Sequence, residues 1–148
     1  MRFDELAVEA RSGTDDAVAR TVPPLRLLAA WVIVLCVDLI GSACGFWNLY
    51  RVVRLMPIRS RRRWRYEARS ESLCEAVGAA SVYYIRRVHC LQKAAAAVCL
   101  LRAHGIPAEL VVGIHRLPFE AHAWVEVNRQ IVMNDRQGLE LYQTIARC

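Results

Sequence analysis

The chain is 148 residues long and 55% hydrophobic, enough to bury one core, so one compact domain is expected. Its formal net charge of +6 is local: residues 51–69 hold eight Arg against Glu67, while residues 1–20 hold three Arg against five Asp and Glu. Six cysteines would suit a secreted disulfide scaffold, but the acidic, polar start MRFDELAVEARSGTDD is not a signal peptide, and no CxxC or zinc spacing occurs. Reduced thiols, no metal site and a cytoplasmic location are therefore expected.

Residues 1–22 read as an arm. A weak helical pattern (Phe3, Leu6, Ala7, Ala10) runs into the breaker Ser12-Gly13-Thr14, and Thr21-Val22-Pro23-Pro24 closes it. From Leu25 to Tyr50 the run LRLLAAWVIVLCVDLIGSACGFWNLY is long enough to cross a bilayer. Asp38 in mid-run would cost about 2.5–3.5 kcal/mol at a membrane centre, and Gly41-Ser42 follow it. The expectation is thus one long or kinked helix buried against the core, not a span. Pro57 ends it.

The Arg-rich piece after Pro57 reads as a solvated linker or helix face, or as a docking surface for a partner protein or an acidic peptide leader. Trp64 and Tyr66 lie among the arginines as stacking platforms would, but no nucleic-acid motif accompanies them, so nucleic acid is not expected as a partner. Glu71 to Arg87 is predicted as a second helix, capped by Ser70, with Leu73, Val77, Ala80 and Tyr84 on one stripe.

Cys90 opens a third helix, 90–104. Leu91, Ala94, Ala95, Val98, Leu101 and Arg102 follow one face, and the alanine run adds propensity. His104 in the last turn, Gly105 at the left-handed cap and Pro107 beyond it mark the end. Cys90 thus sits in the first turn, where unpaired N–H groups and the positive end of the helix dipole favour a thiolate and offer a hole for an oxyanion.

Two strands are expected next, Ala108–His115 and Ala121–Val127, the latter with His122, Trp124 and Glu126 on one face. Ile131 to Asn134 is a third. With Asn128-Arg129 as a hairpin loop, Val127 pairs with Gln130, and the straight count sets His122 opposite Asp135 with Cβ atoms roughly 4.5–5.5 Å apart. An aspartate there orients the imidazole and stabilises its charged form, leaving the other ring nitrogen to take a thiol proton. Glycine is preferred where Arg129 stands, and a one-residue bulge would bring Asn134 into the place of Asp135. In the tail, Leu139, Leu141, Tyr142 and Ile145 are suited to cover a sheet edge.

Cys90, His122 and Asp135 are therefore the candidate catalytic residues. Cys36, Cys44, Cys74 and Cys99 read as small buried hydrophobes. His89 reads as a structural neighbour of the cysteine, His104 as a helix C-terminal cation and Trp124 as packing. His115 has no partner legible in the sequence, and Tyr84 is a candidate second oxyanion donor beside the amides of Cys90 and Leu91.

The run CLQKAAAAVCLLRAHGIPAELVVGIHRLPFEAHAWVEVNRQIVMND resembles the core of the lasso peptide biosynthesis B proteins, leader peptidases of the transglutaminase-like, papain-related superfamily. The likeness is close over the C-terminal part and looser over the helices before it. Its most specific pieces are Cys-Leu at a helix start, Arg-x-x-Gly-Ile-Pro-Ala-Glu-Leu from Arg102, and Ala-His-Ala-Trp-Val-Glu-Val; the hairpin tip departs from the family's Asp-Gly or Asn-Gly. By this resemblance the family's Cys, His and Asp fall on Cys90, His122 and Asp135. The implied fold is α+β: N-terminal helices on a small antiparallel sheet, with the nucleophile at a helix N-terminus. The implied domain spans 23–148, with a helical part (25–87), a catalytic core (88–135) and a C-terminal tail (136–148).

The resemblance also implies the activity, a cysteine peptidase that cuts the leader from a ribosomally made lasso precursor. The implied partners are that precursor peptide, a separate leader-recognition protein and an ATP-dependent cyclase of the asparagine-synthetase type. No cofactor is implied for the cleavage. Two other readings stand beside it: a transglutaminase or acyltransferase using the same thioester, and a basic membrane- or nucleic-acid-associated module with an inert thiol.

Overall fold

A computed structural model describes residues 22–57, 66–133 and 139–148. The arm expected over 1–22 lies almost wholly outside the described residues, as do residues 58–65 of the Arg-rich piece. The chain is α+β, as expected: among the described residues three helices, α1 (Pro24–Leu55), α2 (Tyr66–Val82) and α3 (Cys90–Ala103), precede the sheet strands β1 (Ala108–Arg116), β2 (Phe119–Val127), β3 (Gln130–Met133) and β4 (Gln143–Arg147). A 3-10 turn, Leu139–Leu141, leads into β4.

Pro24 starts α1 with its ring-fixed φ, and the helix stops at Met56, extended before Pro57. Gly45 kinks it by taking a left-handed φ of 76°. The expected kinked helix is therefore present, but it is not buried all round. Ala30, Val34, Val37, Asp38, Leu49 and Val53 face the core, whereas Leu25 and Trp47 are 77% and 74% exposed. Cys36 and Cys44 are exposed as well, correcting their assignment to the core, while Cys74 is buried and Cys99 half-buried.

Helix α2 begins earlier than predicted, so Ser70 lies buried inside it instead of capping it. It also ends earlier, at Val82. The chain then bends through residues 83–86 and brings Tyr84 and Arg86 onto Asp38.

Both α1 and α2 pack on α3, whose Ala94–Ala97 run is fully buried. Small side chains there let two helices approach one closely. The cap is as predicted: His104 follows the last turn and Gly105 takes φ 78°. Arg102 in that last turn is 3% exposed and ties three elements together. Its Nε donates to the Ala108 carbonyl at 2.8 Å, and its Nη1 to the carbonyls of Val53 and Met56 at 2.6 and 3.3 Å. The last two are acceptors at the negative end of α1, the Val53 carbonyl also taking the Met56 N–H at 3.3 Å, so a buried cation is satisfied there without a carboxylate.

The sheet is antiparallel with strand order β3-β2-β1-β4. Strand alternation puts Leu110, Val112, Ala123, Val125 and Val127 in the core shared with the helices. Val111 and Trp124 face the other way, into a small second core with Leu139, Ile131 and Tyr142. The predicted hairpin loop is present: Asn128 and Arg129 both take positive φ, 51° and 65°, as a type I′ turn requires. The left-handed conformation at Arg129 costs roughly 1–2 kcal/mol that glycine would not incur.

The tail covers the free edge of β1, as expected, but it does so as a strand. Leu110 and Cys148 exchange backbone hydrogen bonds at 2.7 and 3.0 Å, and the Tyr50 hydroxyl donates to the Arg147 carbonyl at 2.9 Å. Leu139 and Tyr142 pack inward, while Leu141 and Ile145 are 64% and 56% exposed.

Candidate active site

Cys90 is the first residue of α3 and is half-buried. The helical ladder starts one turn on, with the Lys93 N–H donating to the His89 carbonyl at 3.0 Å. The amides of Cys90 and Leu91 precede that bond and so have no acceptor within the helix ladder. Gln92 secures the turn: its Oε1 accepts the His89 backbone N–H at 2.9 Å, the glutamine half of a capping box. Its Nε2 donates to Asp38 Oδ1 at 2.8 Å.

Asp38 is thus the buried anchor beneath the first turn of α3. Its Oδ2 accepts the Tyr84 hydroxyl at 3.0 Å, Ser42 reaches Oδ1 at 3.4 Å, and Arg86 lies 3.5 Å away. Tyr84 is therefore spoken for by a carboxylate and does not serve as the oxyanion donor expected from sequence. Burial, then the hydrogen bond and charge of Asp38, push its phenol above the usual range. Trp31 holds the ring edge-on at 6.0 Å.

His122 lies on β2, half-buried, and pairs across the sheet with Gly113 of β1. Its ring stands 5.8 Å from the Tyr142 ring, which in turn lies 5.7 Å from His115. Tyr142 is also close enough to Cys90 for a thiolate there to oppose ionisation of the phenol. A hydrogen bond with Glu120, then burial and the charges of Glu120 and Cys90, hold the Tyr142 hydroxyl above its ordinary value. Among the described residues neither ring nitrogen of His122 is committed to another partner.

The loop-based register holds for Val127↔Gln130 and Glu126↔Ile131, then shifts by one at Val125↔Met133. The bulge puts the extra residue on β3, so the straight count that set His122 opposite Asp135 stops applying there. Asp135 itself lies outside the described residues.

A second set of bonds braces the His122 face. Trp124, 4% exposed, donates its indole N–H to Glu126 at 2.9 Å. Arg147 of β4 holds Glu126 at 2.6 Å and Glu109 at 2.7 Å. Trp124 is packing, as expected, and its ring lies against Gly113, where a Cβ would come within 2.8 Å of that ring and 3.1 Å of the Tyr142 Cβ. Glycine is required at that crossing.

His89 and His104 stand at the two ends of α3, as its N-cap and C-cap residues. His104 Nδ1 lies 2.8 Å from the Leu100 carbonyl. His115 gains a partner that sequence did not show, the Pro118 carbonyl, 3.2 Å from its Nδ1. Among the other thiols, burial pushes Cys74 up to about 12 and Cys99 up to about 11, which makes both poor nucleophiles.

Sequence reasoning missed Tyr142, Glu120 and the anchoring role of Asp38. Gln92 had a readable signal, a glutamine three residues after the helix N-cap. Tyr142 and Asp38 had none, because they reach the Cys90 helix only through the tertiary fold.

The profile of the transglutaminase-like superfamily matches residues 33–147. Neither the curated proteins nor the solved structures yield a match.

Proposed function

Because the chain belongs to the transglutaminase-like superfamily, which includes cysteine peptidases and acyltransferases, we propose that it is a cysteine peptidase with Cys90 as nucleophile and His122 as its base. The observation that carries this reading is the half-buried Cys90 at the first position of α3, whose charge reaches the Tyr142 hydroxyl, with the Tyr142 ring 5.8 Å from that of His122.

In the proposed reaction His122 takes the Cys90 proton and the thiolate attacks a peptide carbonyl. The amides at the start of α3 hold the oxyanion, the imidazolium protonates the leaving amine, and water clears the thioester. Asp135 is the proposed orienting carboxylate for His122, on the strength of its sequence motif. No organic cofactor or metal enters this scheme.

The proposed substrate is a leader–core precursor peptide of the lasso type, brought by a separate leader-recognition protein and passed to an ATP-dependent cyclase, in the cytoplasm. Support comes from the sequence motifs around Cys90 and His122. An open cleft of about 440 Å³, lined by His115, Arg116, Leu117 and Leu141 among others, adjoins the Tyr142 side of the site and is suited to an extended peptide.

The same thioester passed to an amine would make the protein an acyltransferase. Incubating wild type and Cys90→Ala with a candidate precursor, with and without its recognition protein, and weighing the products tests both. A new free carboxylate made only by wild type supports the peptidase. An amide adduct made with an added amine supports acyl transfer, and no product in any mixture counts against both.

A further inference from the structure

The outward face of α1 is apolar along most of its length. Leu25, Leu28, Val32, Cys36, Leu39 and Trp47 are all exposed and recur at three- and four-residue steps, apart from the longer stride past the Gly45 kink. Between Arg26 and Arg51 the only charged residue is Asp38, and it is turned inward to Gln92 and Tyr84. A helix of this length and hydropathy passes for a membrane span, yet only 22% of its most apolar window is buried in the protein.

The inner face decides against a span. Val34, Val37, Leu49 and Val53 pack into the core with α3, so lipid cannot surround the helix without dismantling the site. What remains is a helix that lies along an apolar boundary. Its C-terminal end supplies the second half of the pattern: exposed Trp47, then exposed Arg51 and Arg54 at the same three- and four-residue steps. An apolar stripe that ends in an aromatic residue and a basic cluster matches acyl chains, interface and anionic headgroups in turn. A second copy of the chain would offer apolar area but bring the same net charge of +6 against the first.

We propose that this face of α1 docks the protein on an anionic membrane surface, the helix lying in the interface and Arg51 and Arg54 gripping the headgroups. The test is co-sedimentation of the full chain with vesicles of phosphatidylcholine alone and of phosphatidylcholine with phosphatidylserine, alongside its oligomeric state in solution. Strong binding to the anionic vesicles and weak binding to the neutral ones is expected, falling as salt is raised.

Leu28→Glu/Leu39→Glu is expected to lower binding about tenfold or more, and Arg51→Glu/Arg54→Glu by about tenfold. Unchanged helical circular dichroism shows that a variant still folds, and the salt dependence of wild type stands if one does not. The proposal is overturned by absence of vesicle binding, by equal binding to neutral and anionic vesicles, or by leucine variants that bind like wild type. A wild-type dimer that the leucine variants split, with no vesicle binding, would assign the face to a second copy and overturn it too.

Discussion

Asp38 accepts the Gln92 side-chain amide at 2.8 Å, and the same glutamine takes the His89 backbone N–H at 2.9 Å, one residue before Cys90. A buried carboxylate on α1 therefore sets the first turn of α3, where Cys90 stands. Asp38→Ala leaves Gln92 and Tyr84 without their acceptor and is expected to cost about 2–4 kcal/mol. Asp38→Asn, which keeps one acceptor, should lose less. Urea melts and cleavage rates of the two variants check this, and equal stability of wild type and Asp38→Ala would refute the anchoring role.

Arg102 is the second buried charge, held by three backbone carbonyls. Arg102→Met fills much of the volume but removes every donor, so the ends of α1 and α3 come apart from β1. A loss of about 3 kcal/mol or more is expected in denaturant melts.

Gly113→Ala would push a methyl group into the Trp124 ring and towards the Tyr142 Cβ. Over-packing of this kind costs about 1–3 kcal/mol. Because the Tyr142 ring lies against His122, cleavage should fall together with stability. A variant as stable and as active as wild type would show that the crossing yields freely.

The buried thiols give the fold an alkaline limit. The folded-state value of Cys74 is raised to about 12 from an ordinary 9.0 by burial, then by the charges of Glu75 and Glu71. The native state thus holds a proton that the unfolded chain releases first, so this contribution to stability is intact below pH 9 and is lost as pH rises towards 12. Urea midpoints measured at pH 8 and at pH 10.5 should drop for wild type, and by less for Cys74→Ala.

Much of this was legible in the chain. The start of α3 at Cys90, its end at His104-Gly105 and the Asn128-Arg129 hairpin all follow from local rules of spacing, capping and turn chemistry. Strand β4 was not legible: Gln143-Thr144-Ile145-Ala146-Arg147 lacks an apolar alternation, and only the open edge of β1 makes it a strand. The site residues that escaped have the same explanation. Tyr142 and Asp38 meet the Cys90 helix across long chain separations, and hydropathy alone does not tell which side of α1 faces the core. A one-residue bulge in this hairpin was foreseeable, but not its direction: the extra residue falls on β3 between Ile131 and Met133, which carries the count past Asp135 instead of back to Asn134.

The central claim is that Cys90 acts as a nucleophile activated by His122. Its most direct test is the rate of alkylation of each cysteine by iodoacetamide at neutral pH, read by peptide mass mapping in wild type and in His122→Ala. Cys90 is expected to react at least about tenfold faster than the more exposed Cys36 and Cys44, and to lose that advantage in His122→Ala. A Cys90 that reacts no faster than Cys36, or that keeps its rate without the imidazole, would contradict the account.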